Sequence, residues 1–445
     1  MSSVFRKSPL QPTEKSWIVV QKSGGAITGA WASLPGQSHL LTAKNAGDAK
    51  SLVDKAAAAG AKAREIPGHW MVLPTGIDLQ VHLRHPGQAQ KETLEGGLES
   101  ALYGGFDTVV TMPNTQPFLD SPDALAKAIA SAHEIASRYP VRVAFTASAT
   151  KGMQGQEPTD IESLARAGAV AITDDGWGVK TETAQAGVFA GCARSGLLFQ
   201  QHAEMPGHKG VATASTFQKS HNLPEYPRSA ESEMIRRDIA LLQKAKGARY
   251  HVLHVSTRES LEEIRKAKSA GLAVSAEVTP HHLFFSSNDI PPESSALSSY
   301  FKMNPPLFGP EDRAALREAL RDGTIDCVST DHAPHEKDLK TKGWLLAPFG
   351  TRGLETALPA LLTLVTEGEL SPSRLVEVFS SAPRKLLGKT DFLEPTGLLF
   401  VDPKASFRVT ESDLPGLSEN SCFLSATLHG RIEIRGEPGA LFTRA

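Results

Sequence analysis

From Leu73 onward, short apolar runs alternate with longer stretches in which apolar residues recur at helical spacing. Eight of the short runs have strand character: PTGIDLQVH, FDTVVTMPN, VRVAFTASA, AVAITDDG, LLFQQHAE, ARYHVLHVS, AVSAEVTPHH and IDCVSTDHAPH. Between them stand amphipathic stretches such as ALAKAIASAHEIASRY, ESEMIRRDIALLQKAK and ESLEEIRKAKSAG. Strand and helix in strict alternation is the pattern of repeated βα units, whose strands pair in parallel because each helix returns the chain to the same end of the sheet. Eight such strands predict an α/β fold of the TIM type, a (β/α)₈ barrel over residues 73–390.

The two ends of the chain carry a different pattern. Residues 17–72 hold short apolar runs (WIVV, GAITGAW, HWMVLP) separated by Gly, Pro and Ser, with one Ala-rich helical stretch, DAKSLVDKAAAAGAKA. From Asp391 the runs GLLFVDP, RIEIRG and ALFT again read as strands. The expectation is one small β-rich domain built from residues 1–72 and 391–445. The N-terminus, MSSVFRKSPLQPTEKS, has no apolar core for a signal peptide, and runs such as ALPALLTLV are too short and too broken by proline to span a bilayer.

Charge and cysteine content narrow the partners. Forty-seven basic and 49 acidic residues leave a net charge of -2, which provides no electrostatic footprint for nucleic acid or an anionic membrane. A small-molecule substrate is the expectation. Cys192, Cys327 and Cys422 stand far apart without CxxC spacing, so the sequence points to neither a disulfide framework nor a thiolate zinc site, and to a cytoplasmic location.

The candidate chemistry lies where the strands end, because polar residues at the C-terminal ends of barrel strands converge on one mouth. Strand one ends in Gln80, His82 and Arg84; strand four in Asp174 and Asp175; strand five in His202; strand six in His254; strand eight in Asp331, His332 and His335. Imidazoles and carboxylates are the donors zinc prefers in an open catalytic site. Buried charges from several strands need partners, and a metal is the economical common one. His85, His281 and His282 read better as supporting residues than as ligands.

Several phrases resemble the dihydroorotases of the amidohydrolase superfamily: IDLQVHLRHPG, TMPNT, TDDGWGV, HVLHVSTRES, AEVTPHHL, YFKMNPPL, STDHAPH and APFGTRGLET, in order from about residue 74 to residue 360. The resemblance implies reversible cyclisation of N-carbamoyl-L-aspartate to L-dihydroorotate through metal-bound hydroxide. It makes His82, Asp175, His202, His254 and Asp331 ligands of one or two zinc ions, with Asp175 bridging, and Asp331 the catalytic acid/base. Arg84, Asn114, Asn304 and His335 become substrate contacts, and the segment from His335 to Phe349 a lid. A homodimer and association with aspartate transcarbamoylase are further expectations.

The sequence departs from the family pattern at strand one, where Gln80-Val81-His82 replaces the usual His-x-His. An amide oxygen is a weaker zinc donor than an imidazole nitrogen, so Gln80 is a weak candidate ligand. His85 and Met205 are lesser departures. Three other readings stay open: a hydantoinase or dihydropyrimidinase, whose branch carries a carboxylated lysine where this chain has Asp174 and Asp175; a non-catalytic homologue serving aspartate transcarbamoylase; and a binding protein using the barrel mouth without chemistry.

Overall fold

The eight strands lie side by side in chain order in one parallel sheet: Gly76–Val81, Phe106–Thr111, Arg142–Ser148, Ala171–Thr173, Leu198–Gln201, Arg249–Val252, Val274–Val278 and Cys327–Val328. The sheet closes where Val81 bridges to His332 and the His82 amide donates to the His332 carbonyl at 2.8 Å. The structure is a computed structural model and describes Arg6, residues 9–207 and residues 210–444. The outermost parts of the two terminal segments, residues 1–5, 7, 8 and 445, lie outside the described residues.

The first two barrel strands are buried along their whole length, their polar residues Asp78, Gln80, Asp107, Thr108 and Thr111 included. Successive side chains still face opposite ways. One set, including Val109, Phe145, Phe199, Tyr250 and Val252, packs outward in the main core with the helices. There Phe199 stacks on Tyr250 with ring centroids 6.1 Å apart, and Phe189 meets both edge-on. The other set supplies a separate apolar cluster that includes Ile77, Leu79, Val110, Ala144 and Cys327. Helix starts are specified locally: the side chains of Thr93, Ser121, Thr181 and Thr257 each accept a hydrogen bond from a backbone amide of the first turn.

The chain ends form two further sheets. Leu10–Glu14, Ala440–Arg444, Thr427–Glu437, Leu398–Arg408 and Met71–Pro74 pair in that spatial order, all antiparallel. Residues 17–67 form a separate four-stranded sheet, on which Ala46–Ala58 lies, the helix read from the Ala-rich stretch. The N-terminal segment therefore serves two sheets rather than one. They meet through Trp17, Val19, Ile66, Phe400, Ile434 and Leu441, and the Trp17 indole donates to the Glu437 carbonyl at 2.9 Å. Gly105 marks the contact with the barrel: its φ of 85° suits glycine, and a Cβ there would stand 2.6 Å from Leu399.

At the foot of the barrel Asp107 is fully buried and accepts from five donors: Thr75 Oγ1 (2.5 Å), Thr108 Oγ1 (2.6 Å), Arg384 (2.8 Å), the Thr396 amide (2.8 Å) and Arg142 (3.0 Å). Burial alone would push this carboxyl up, but Arg384, Thr108, Thr75 and Arg142 together hold it below the usual range. The network ties the second strand to the last helix of the barrel and to the segment entering the terminal sheet.

Candidate active site

The C-terminal strand ends open into a cavity of about 370 Å³ lined by His82, Arg84, Asn114, Asp175, His202, His254, Asn304, Asp331 and His335. Every substrate and metal residue expected from the sequence except Gln80 is at its wall. A larger cavity, about 540 Å³, lies beside the helix Pro122–Ala136. Its walls are mostly apolar and bring together no set of ligating groups, so size alone does not mark the site.

Asp175, directly after the short fourth strand, is the hub. One carboxylate oxygen lies 3.2 Å from His82 Nε2, and the other lies 3.5 Å from His202 Nδ1 and 3.6 Å from His254 Nε2. His82 Nε2 also stands 3.0 Å from Asp331 Oδ1, and His202 Nδ1 stands 3.0 Å from His254 Nε2. The result is two triads, His82/Asp175/Asp331 and Asp175/His202/His254, each with its ligating atoms within 4.8 Å of one another. Asp175 belongs to both.

The rings are turned to present those atoms. His82 Nδ1 donates to Asn114 Oδ1 at 3.0 Å, which leaves Nε2 facing the two carboxylates. His202 Nε2 lies 3.3 Å from Glu204 Oε2, leaving Nδ1 toward Asp175. Asn304 Nδ2 donates to the same Glu204 oxygen at 2.7 Å.

No lysine or arginine among the described residues pairs with Asp175 or Asp331 within salt-bridge distance. Positive charge must come from the imidazoles. Burial opposes it, yet hydrogen bonds to Asp175 and Asp331 raise His82 to about 9, and those to Asp175 and Glu204 raise His202 to about 10. Asp175 answers in kind: burial raises it, and His202, His254 and His82 outweigh burial to hold it well below the usual carboxylate range. Two buried carboxylates that rely on displaceable protons suit a divalent cation, so this donor set fits a metal.

Arg84 brings a cationic group to the same cavity. Arg84 donates through Nε to the Pro334 carbonyl at 3.1 Å and through Nη2 to His335 Nε2 at 3.2 Å. Burial, with the nearby charges of Arg84, Lys91 and Lys340, drives His335 far below its ordinary value, so it accepts that bond as a neutral ring. Arg84, His254 and Asp331 have φ of 60°, 34° and 48°, half of the six non-glycine residues with positive φ among the described residues. Such conformations cost roughly 1–3 kcal/mol each and collect at functional sites.

Other residues are placed elsewhere. Gln80 is fully buried behind the cavity wall, where Nε2 donates to Asp175 at 3.1 Å and Oε1 has no hydrogen-bond partner. His85 pairs with Ser131 at 2.9 Å, outside the cavity. His282 Nε2 donates to the Pro305 carbonyl at 3.1 Å, beside Asn304, while His281 is buried without a hydrogen-bond partner. Asp174 accepts from the Ala149 and Thr150 amides and from the Thr150 hydroxyl, a structural role. His332 is buried beneath the mouth.

Sequence reasoning missed Glu204, although its place two residues after His202 at a strand end was a usable signal. It also passed over Trp177 at the cavity rim, where Phe349, the end of the segment read as a lid, lies as well. The segment carrying Phe349 is held by two lysines: Lys340 Nζ donates to the carbonyls of Lys302, Pro348 and Gly350, and Lys302 Nζ to those of Leu345 and Ala347.

The description dihydro-orotase-like fits a family model matched by residues 69–260. The dihydroorotase of Staphylococcus epidermidis is 40% identical over 367 residues, covering 81% of this chain and 84% of that one. That of Bacillus licheniformis is 42% identical over 357 residues, 80% of each chain. Among solved structures, the L-hydantoinase of Arthrobacter aurescens superposes with a TM-score of 0.78 at 26% identity, over 95% of both chains. A dihydropyrimidinase from Brevibacillus agri, 20% identical, shares the fold with a TM-score of 0.73 over 96% of this chain and 94% of that one. With two-fifths identity sustained over four-fifths of its length, the chain belongs to the dihydroorotase family.

Proposed function

We propose that this protein is a dihydroorotase, interconverting N-carbamoyl-L-aspartate and L-dihydroorotate. The observation that carries the reading is the division of one cavity into an imidazole–carboxylate wall around Asp175 and a guanidinium–amide wall around Arg84. A cyclic amide bearing a carboxylate needs both: one to break the ring C–N bond, the other to hold the acid group.

On this reading His82, Asp175, His202, His254 and Asp331 hold one or two zinc ions, with Gln80 contributing weakly if at all. A divalent metal held there supplies Lewis acidity and a strong nucleophile at neutral pH. Asp331 takes the proton released as water adds to the ring carbonyl and delivers it to the departing amide nitrogen; in the cyclisation direction the same transfers run backward. Arg84, with Asn114 and His335, receives the substrate carboxylate, for which a guanidinium fork has matching geometry. Asn304, anchored by Glu204, faces the ring. The lysine-held segment ending at Phe349 covers the mouth as a lid.

The His82/Asp175/Asp331 triad offers one imidazole, with an amide at Gln80 where the family pattern has a second, and the Asp175/His202/His254 triad offers two. The Asp175/His202/His254 set therefore holds the tighter ion. Three free, buried cysteines support a cytoplasmic setting, and no described helix is long and apolar enough to cross a membrane. Family precedent supports a homodimer and a partnership with aspartate transcarbamoylase, which sedimentation of the protein alone and with the transcarbamoylase checks.

Zinc content and dihydroorotate turnover, measured on one sample with and without a chelator, test the reading. Chelator-sensitive turnover supports it. A folded, zinc-loaded protein that leaves dihydroorotate unchanged overturns it in favour of a non-catalytic homologue, and turnover of hydantoins instead favours the hydantoinase branch.

A further inference from the structure

Barrels of this kind are usually filled with branched apolar side chains, yet one layer below the mouth this barrel is polar. His251, Glu277 and Cys327, from the sixth, seventh and eighth strands, all have zero exposed area. Glu277 and Cys327 are direct register partners, as are His251 and Ser275. His251 Nε2 lies 3.0 Å from Glu277 Oε2 and its Nδ1 lies 2.8 Å from Ser275 Oγ. Ser329 donates to the same Glu277 oxygen at 2.5 Å, while Glu277 Oε1 has no hydrogen-bond partner. None of these residues lines the mouth cavity.

We propose that His251, Glu277 and Cys327 form an interior metal site, distinct from the mouth and suited to zinc. One nitrogen, one carboxylate oxygen and one sulfur have ligating atoms within 4.8 Å of one another, a donor set and spacing that zinc accepts. Hydrogen bonding alone leaves the cluster incomplete. A buried carboxylate oxygen without a partner is costly, no described lysine or arginine forms a salt bridge with Glu277, and Asp78 adds a second buried carboxylate that repels it.

The site has a structural use. The seventh and eighth strands share only two register pairs, Glu277 with Cys327 and Val278 with Val328, the shortest of the seven ladders between consecutive strands and next to the single bridge that closes the barrel. A metal joining three adjacent strands would close that seam and fix the eighth strand four residues before Asp331. The sequence concealed the site because its ligands come singly from three strands, with none of the close spacing by which thiolate zinc sites are recognised.

Sulfur supplies the test, because every ligand of the mouth site is nitrogen or oxygen. Zinc-edge X-ray absorption on the full-length, zinc-loaded protein should show sulfur at about 2.3 Å, averaging less than one sulfur per zinc. Cobalt(II) substitution should add a near-ultraviolet thiolate-to-metal charge-transfer band. Cys327→Ser should lose both signals and one equivalent of metal, whereas His254→Ala should lose metal from the mouth and keep the sulfur. A zinc-loaded wild-type protein with only nitrogen and oxygen neighbours overturns the proposal, as does a sulfur signal that survives Cys327→Ser. If that variant fails to fold, the wild-type spectrum decides. Neither signal depends on turnover, so failure here is distinguishable from failure of the dihydroorotase reading.

Discussion

Asp107 at the foot of the barrel and Asp175 at its mouth are both buried carboxylates on parallel strands, and their surroundings could hardly differ more. Asp107 takes five hydrogen bonds, two of them from arginines. Asp175 has three imidazoles at 3.2–3.6 Å and a single amide donor, Gln80. Arginine never gives up its charge at accessible pH, whereas an imidazolium surrenders its proton to a metal. The foot is finished by its own side chains; the mouth is built to receive something else. The contrast teaches where to look for function among many buried charges: at those whose partners can be displaced.

The largest effect expected is at the mouth. Asp331→Asn keeps a residue that tolerates the left-handed backbone at this position, so the change removes the carboxylate, as proton carrier and ligand, without straining the chain. We expect kcat to fall roughly 10²–10⁴-fold, with Tm close to wild type in thermal melts. A variant that loses stability but keeps its turnover number would assign Asp331 to the same structural class as Asp107 and erase the comparison.

The converse holds at the foot. Arg384→Met leaves Asp107 without the largest of its favourable partners, and breaking a buried pair in this way costs roughly 3–5 kcal/mol, read by urea unfolding, with kcat of the folded fraction unchanged. The pH dependence has a definite sign. Because Asp107 in the folded protein is held below its ordinary value, its contribution is complete above the unfolded carboxyl range and is lost as pH falls through the folded value. Arg384→Met should therefore bring acid unfolding on at a higher pH than in wild type.

A smaller loss is expected at the guanidinium–amide wall. Arg84→Lys keeps the charge but removes the fork and the bond from Nη2 to His335. KM for dihydroorotate should rise on the order of tenfold, about 1.4 kcal/mol, with kcat less affected; equal kinetics would remove Arg84 from the substrate site.

How much of this was legible in the sequence follows the same division. The eight strands announced themselves as short, largely apolar runs alternating with longer stretches of helical spacing, and the mouth residues because they follow those runs directly. Asp107 gave no signal: Arg384 and Thr396 reach it from more than 270 residues away, and nothing local marks such a partner. Glu204 was passed over because its role passes through His202 and Asn304, and the His251–Glu277–Cys327 layer because the strand alternation that gathers it appears only once register is known. His85, so close to Arg84 in sequence, turns out to face Ser131 on an outer helix.

The finest probe of the comparison is Gln80, which stabilises Asp175 in the way a foot residue would, by a fixed neutral hydrogen bond. Gln80→His replaces that fixed donor with a displaceable one. If the mouth is defined by displaceable partners, the His82/Asp331 triad should gain zinc affinity on the order of tenfold, the lower end of what a supporting partner is worth at a metal site. Titration of metal-depleted protein, followed by elemental analysis, would then give a second equivalent of zinc at lower free metal than wild type requires. Unchanged occupancy would mean that Gln80 belongs to the barrel's permanent packing, and that the boundary between finished and unfinished charge runs through the space between Gln80 and Asp175.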